Sequence, residues 1–148
     1  MALNLSEIEF VKTHPNAKIP TRGSVEAAGL DLYAVESGTI PAGTFKFVSA
    51  GVAMALPIGY EGQVRPRSGL AAKHGVTVLN APGTLDSDFS GTIGVILINH
   101  HRTADFYFEA GDRIAQLVIA KVELPVAVEG NQLRDTDRGS SGFGSTGK

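Results

Sequence analysis

Apolar runs of only a few residues, each cut off by glycine or proline, fill most of this chain and leave little room for helices. Period-2 or continuous apolar stretches occur at 8–13 (IEFVKT), 29–34 (GLDLYA), 44–56 (TFKFVSAGVAMAL), 60–66 (YEGQVRP) and 113–124 (RIAQLVIAKVEL). Turn signals stand between them at Pro41-Ala42-Gly43, Pro57-Ile58-Gly59 and Ala110-Gly111-Asp112. Side chains alternate across a strand, so such a pattern buries one face of each. Many short strands at this spacing predict an all-β barrel or jelly roll. The one helix candidate is SGLAAKHG (68–75), a turn or two long, with Ser68 placed to cap it and Gly75 to end it.

At 148 residues there is one domain's worth of sequence, enough to bury roughly two thirds of the unfolded surface. With 13 Lys and Arg against 15 Asp and Glu, the net charge of −2 gives no broad attraction to a nucleic-acid backbone. Any polyanion bound here must be small and met by local charges. Cysteine is absent, which excludes disulfides and thiolate zinc sites.

The opening MALNLSEIEF has neither the cationic region nor the long apolar core of a secretory signal. No apolar run approaches the ~20 residues a membrane helix needs. Asn4-Leu5-Ser6 fits a glycosylation acceptor, a coincidence in the absence of a signal. The expectation is a cytoplasmic protein with no membrane or nucleic-acid partner. Near residue 130 the apolar alternation stops. Residues 1–130 are expected to form a β-barrel domain, and 131–148, with RGSSGFGSTGK at 138–148, a flexible arm that cannot bury enough to order itself.

Residues 83–94 (GTLDSDFSGTIG) set Asp86 and Asp88 around Ser87, follow them with Phe89, and are bounded by Gly83 and Gly91. Asp, Ser and Gly favour turns by bonding local backbone or tolerating positive φ. The flanks GVTVLN (75–80) and TIGVILIN (92–99) are β-branched and apolar, so a hairpin buried at its base is predicted. Its tip carries a carboxylate beside a ring, which suits gripping and attacking a small molecule.

Other segments could bind anions. In Pro66-Arg67-Ser68-Gly69-Leu70-Ala71 an arginine and a hydroxyl stand at the start of a short helix with unpaired amides; a capped turn with a solvated arginine is the plainer reading. In GLDLYA, Asp31 and Tyr33 share the face opposite Leu30 and Leu32, and an acid in a strand needs a partner, either a metal or an arginine. Asp112 and Arg113 read as turn residues, while Gln116 is polar within an apolar strand and hints at a specific hydrogen bond.

The tail residues Gly142-Phe143-Gly144-Ser145-Thr146-Gly147 fit G-x-G-x-x-G, and Lys148 extends them to G-x-x-x-x-G-K. No strand precedes and no helix pattern follows, so neither a Rossmann nor a Walker site is expected. Glycine amides and hydroxyls can still wrap a phosphate, with Arg138 as a fork for its oxygens and Phe143 as a face for a base. A terminus without a role is the alternative. His14, His74, His100 and His101 are adjacent to turns or to one another and read as structural or surface residues. No nucleophile elbow supports a triad.

Taken in order, five segments resemble the motifs of the trimeric dUTP diphosphatase (dUTPase) family: AGLDLYA (28–34), PRSGLA (66–71), NAPGTLDSDFSGTI (80–93), GDRIAQL (111–117) and RGSSGFGSTG (138–147). The resemblance spans residues 28–147. It implies a jelly-roll-like β-barrel with one short helix and a flexible Gly-rich C-terminal arm, assembled as a homotrimer with active sites shared between subunits. It also implies hydrolysis of dUTP to dUMP and pyrophosphate with Mg²⁺, which keeps uracil out of DNA and supplies dUMP for thymidylate synthesis. Asp86 matches the general base that activates water against the α-phosphorus. Asn80 and the hairpin backbone at Gly83, Thr84 and Leu85 match the uracil reader, and Phe89 the ring beneath the deoxyribose. Arg67, Ser68, Gly69, Gln116, Arg138, Gly144, Ser145 and Thr146 match phosphate contacts. Phe143 matches the ring that stacks over uracil when the arm closes, and Asp31 an acid near the metal, acting through water.

Phe89 stands where the family usually has tyrosine, so the ring is kept and the hydroxyl lost. Leu85 replaces a more usual β-branched residue. Two other readings compete: a dCTP deaminase-like enzyme, for which no extra acid/base element is evident, and a non-catalytic nucleotide-sensing trimer, which would need neither Asp86 nor the tail.

Overall fold

The computed structural model describes residues 5–144. In chain order its elements are β1 (Glu9–Lys12), β2 (Thr21–Arg22), β3 (Leu30–Tyr33), β4 (Gly38–Ile40), β5 (Phe45–Ser49), β6 (Val52–Ala55), β7 (Tyr60–Arg65), α1 (Ser68–His74), β8 (Val76–Val78), β9 (Gly83–Leu85), β10 (Gly94–Asn99), β11 (Phe106–Phe108) and β12 (Arg113–Lys121). They form four antiparallel sheets, ordered β2-β3-β12-β7-β9, β5-β10-β8, β1-β6 and β4-β11. This is the expected all-β, jelly-roll-like architecture with one short helix.

The sheets share a single core in which Leu32, Ile40, Val52, Val76, Ile93, Val95, Leu97, Ile114 and Leu117 are fully buried. Each such side chain contributes roughly 1.5–3 kcal/mol by leaving water. Among the described residues Asn99 is the one polar residue buried with them. Its amide donates to the Ile40 and Ala104 carbonyls at 3.0 and 2.9 Å, and its carbonyl oxygen accepts from the His101 amide at 2.9 Å. Those bonds tie the end of β10 to β4 and to the turn after it. His101 completes that turn, its Nδ1 accepting from the Thr103 and Ala104 amides.

The expected strands are present, with sharper ends. The 44–56 run splits into β5 and β6 at Gly51, whose φ of 65° is left-handed and open to glycine without penalty. The short strands β2, β4 and β11 are additions that the apolar pattern did not reveal. The helix ends as predicted at Gly75, with φ 66° and its amide bonded to the Ala71 carbonyl at 3.0 Å. Its start differs. Arg67 is the cap residue, extended at φ −93° and ψ 128°, and no side chain caps the helix. A capping side chain must come from the last non-helical residue, and Ser68 already lies inside the first turn.

The predicted hairpin is real at its base and longer in its path. β8 pairs with β10 through Val78↔Leu97 and Thr77↔Ile98, and the Leu79 amide continues to the Ile96 carbonyl at 2.8 Å. The chain then passes the cis peptide Ala81–Pro82 and joins the five-stranded sheet as β9, opposite β7. The segment 80–93 is therefore an excursion between two sheets rather than a simple loop. On the outer face of β5-β10-β8, Phe45 pairs with Ile98 and Phe47 with Ile96, both phenylalanines standing exposed. Among the described residues no helix is long and apolar enough to cross a membrane.

Candidate active site

The strand order of the largest sheet puts polar residues from three distant segments side by side. Asp31 on β3 and Arg65 on β7 are both register partners of Gln116 on β12. Just beyond β7, the Arg67 guanidinium turns back, with Nε 3.5 Å from Asp31 Oδ1 and Nη1 donating to the Arg113 carbonyl at 3.1 Å. Arg113 Nη1 lies 3.5 Å from the other carboxylate oxygen. The Asp31 side chain is only 15% exposed, so each of its oxygens faces a cation. Two guanidiniums against one carboxylate leave this cluster with positive charge in excess, an arrangement that can receive an anion.

Gln116 locks the same region from the other side. Its Nε2 donates to the Pro66 carbonyl at 2.9 Å, which fixes the turn from β7 into Arg67, Ser68 and Gly69. The space for its Oε1 exists because residue 29 is glycine; any Cβ there would collide with that oxygen. Gln63, Arg65, Pro66 and Gln116 meet Ala81 and Pro82 around an open depression of about 460 Å³. Of the candidate phosphate residues, Gln116 thus adjoins the start of the hairpin excursion.

In the excursion, Gly83 is buried and pairs with Val64, and a Cβ on it would press on Val64 and on the Asn80 amide. Asn80 is thereby set against Gly83, and the next residue, Thr84, has Gln63 as its register partner. Leu85, opposite Gly62, packs against the core. The tip is a tight turn in which the Phe89 amide donates to the Asp86 carbonyl at 3.1 Å. Asp86 and Asp88 are exposed, and Phe89 is 43% exposed despite its size.

The arm stands apart. Residues 129–141 are exposed throughout. Arg138 Nε donates to the Ser141 carbonyl at 2.9 Å, closing a local turn, and Phe143 is fully exposed at φ 53° next to Gly144 at φ 86°. Ser145 and Thr146 lie outside the described residues. Within one chain, then, Asp31, Arg67 and Arg113 come together, and Gln116 beside them shares a depression with Ala81 and Pro82. Arg138, Phe143 and Gly144 are not joined to them.

Sequence reasoning passed over three contributors. Arg113 reads as a turn residue, yet it shares Asp31 with Arg67; the clue was an acid in a strand that needed a partner. Gly29 and the Pro66 carbonyl give no signal of their own, because their part is to leave room and to accept one bond. Among the described residues no three His, Cys, Asp or Glu side chains form a metal cage. Mg²⁺ retains several waters and favours phosphate oxygens. Asp31 is a carboxylate that could face such an ion through one of those waters.

Comparison with known proteins identifies the family. The dUTPase family model matches residues 15–147. The deoxyuridine 5'-triphosphate nucleotidohydrolase of Wolinella succinogenes is 53% identical over 146 residues, covering 99% of this chain and 97% of the relative. That of Syntrophotalea carbinolica is 50% identical over 142 residues, covering 95% and 96%. Among solved structures, a tyrosine-to-phenylalanine variant of the dUTPase of Staphylococcus bacteriophage 80alpha, with dUpNHpp, superposes with a TM-score of 0.90 at 25% identity, covering 97% of this chain and 99% of that one. The chain belongs to the dUTPase family.

Proposed function

We propose that this chain hydrolyses dUTP to dUMP and pyrophosphate, with Mg²⁺ on the triphosphate, as a homotrimer that shares its sites between subunits. The single observation that carries the reading is the Asp31–Arg67–Arg113 cluster, with Gln116 bracing the turn into Arg67. In a member of this family, we read that cluster as a phosphate grip.

Phosphoryl attack depends chiefly on positioning and charge neutralisation. Asp86, exposed at the tip, takes a proton from water at a carboxylate oxygen. The water oxygen bonds to the α-phosphorus, the bond from that phosphorus to the α–β bridging oxygen breaks, and pyrophosphate leaves with its electron pair. A positioned carboxylate base contributes roughly 10²–10⁴-fold. Asn80 and the backbone of Gly83, Thr84 and Leu85 read uracil and reject cytosine, whose amino group reverses one donor–acceptor pair. Phe89 packs under the deoxyribose and obstructs a 2′-hydroxyl.

Arg67, Ser68, Gly69 and Gln116 hold the phosphates, joined by Arg138, Gly144, Ser145 and Thr146 when the arm closes and Phe143 covers the base. Closure excludes water and completes the constellation. When bound, Mg²⁺ supplies charge neutralisation on the phosphate oxygens, and Asp31 would hold it through water.

Two features support assembly. Phe45 and Phe47 with Ile96 and Ile98 make an apolar sheet face suited to burial against a second copy. Beyond β12, Leu124, Val126 and Val128 are exposed as well. The deciding assay is pyrophosphate release from dUTP, set against dCTP, dTTP and UTP. Release confined to dUTP is expected; ammonia from dCTP would overturn the reading in favour of a deaminase, and binding without turnover in favour of a sensor.

A further inference from the structure

The Phe89 ring does not hang free from its turn. Its tip lies on the backbone of Gly91, where a methyl group would come within 2.8 Å of Cζ and 2.9 Å of Cε2. Real Cβ atoms do not approach so closely, so a side chain at this position and the present ring position are mutually exclusive. The conformation of residue 91 does not itself demand glycine, because its φ lies outside the left-handed region. What requires glycine here is the ring.

The backbone beneath the ring is fixed. Two residues on, Ile93 is fully buried, its amide donates to the Val52 carbonyl at 2.7 Å and its carbonyl accepts from the Ala50 amide at 2.9 Å. Between them the Thr92 hydroxyl bonds the Thr13 hydroxyl at 2.8 Å. An added Cβ meets a pinned floor on one side and the far end of a half-exposed side chain on the other, so the ring is what moves. We infer that Gly91 is a positioning residue for sugar selection: a bare backbone shelf that sets the height of the Phe89 ring and so the room left at the 2′ position of the nucleotide.

The inference rests on the reading that Phe89 lies under the sugar. Without a tyrosine hydroxyl to anchor the ring, the shelf carries more of the task in this chain. A ring that swings clear of the shelf opens room at the 2′ position and admits a ribose, which lowers the preference for dUTP over UTP.

The experiment measures kcat/KM for dUTP and for UTP in the native chain, Gly91→Ala, Phe89→Ala and the double variant, with a thermal melt of each. Gly91→Ala is expected to lower the dUTP/UTP ratio roughly tenfold, the worth of about one methyl-sized misfit, without altering the melting temperature. In the Phe89→Ala background the same change should leave the ratio where Phe89→Ala alone put it. An unchanged ratio in Gly91→Ala overturns the shelf, as does an equal drop with and without the ring. If Phe89→Ala itself leaves the ratio at the native value, the reading of Phe89 as the sugar contact fails first and takes the shelf with it. Should Gly91→Ala melt early, Gly91→Ser repeats the test with the same Cβ.

Discussion

Arg67 reaches back across the sheet to Asp31, Nε to Oδ1 at 3.5 Å, and the acid's second oxygen is occupied by Arg113. The carboxylate acts on the candidate phosphate grip by aiming a guanidinium. Asp31→Asn removes the charge and keeps the shape. Charge-assisted bonds are worth about 1.5–3 kcal/mol, so kcat/KM for dUTP should fall about 10- to 100-fold, a tenfold change corresponding to roughly 1.4 kcal/mol. The partners are partly exposed, so the loss of stability should stay near 1 kcal/mol or below. Native kcat/KM in Asp31→Asn would rule out the aiming role.

Asp86 is exposed at the tip of a turn and makes no ion pair among the described residues. Asp86→Asn should lower kcat by roughly 10²–10⁴ and leave the Kd of a non-hydrolysable dUTP analogue within a few-fold. Calorimetry with the analogue separates the two effects, and a kcat close to native rejects Asp86 as the base.

Deleting residues 138–148 removes Arg138 and Phe143, and of the described residues it takes away, 138–141 and Phe143 are exposed. The melting temperature should hold while kcat for dUTP drops by at least tenfold. A truncated chain as active as the full one refutes the closing arm.

Phe47 lies exposed beside Ile96, its ring tip over Gly94. Phe47→Lys places a charge on the apolar face proposed to be covered in the trimer. Sedimentation should then report a smaller species, and activity should fall with it if the sites are shared. A Phe47→Lys protein that keeps both its native mass and its activity moves the interface elsewhere.

Asn99 offers a control away from the site. Asn99→Ala leaves the Ile40 and Ala104 carbonyls and the His101 amide without their partner, at a cost of about 1–3 kcal/mol for a buried orphan. Chemical denaturation should show that loss while kcat at a permissive temperature is unchanged.

Much of this was readable from residue order alone, and the reasons are specific. The alternation around Leu32 and Leu117, the Gly75 stop and the turn at Asp86–Phe89 are local effects, set by side-chain period and by what glycine and aspartate do to backbone. The crossing of residues 80–93 into a second sheet was hidden, because Gly83 pairs with Val64, and no local pattern names a distant partner. Arg113 was misread for the same reason: the turn closes at Asp112, whose Oδ2 accepts from the Glu109 amide at 2.8 Å, while Arg113 already begins β12, whose pairing with β3 brings it to Asp31. Ser68 was misplaced by a single residue, which is enough to change a cap into a first-turn side chain.

Residues 123–141 are exposed throughout, and in the proposed reading they serve, in physical terms, as a tether. A flexible chain of roughly twenty residues has a root-mean-square span of about 25 Å and holds its end group near a reachable surface at an effective concentration of order millimolar. Capping a site is then a first-order search whose frequency follows tether length, not protein concentration. Inserting a few Gly-Ser pairs between Glu129 and Arg134 should change that search only mildly, whereas shortening the same stretch until it cannot span the distance should abolish closure outright.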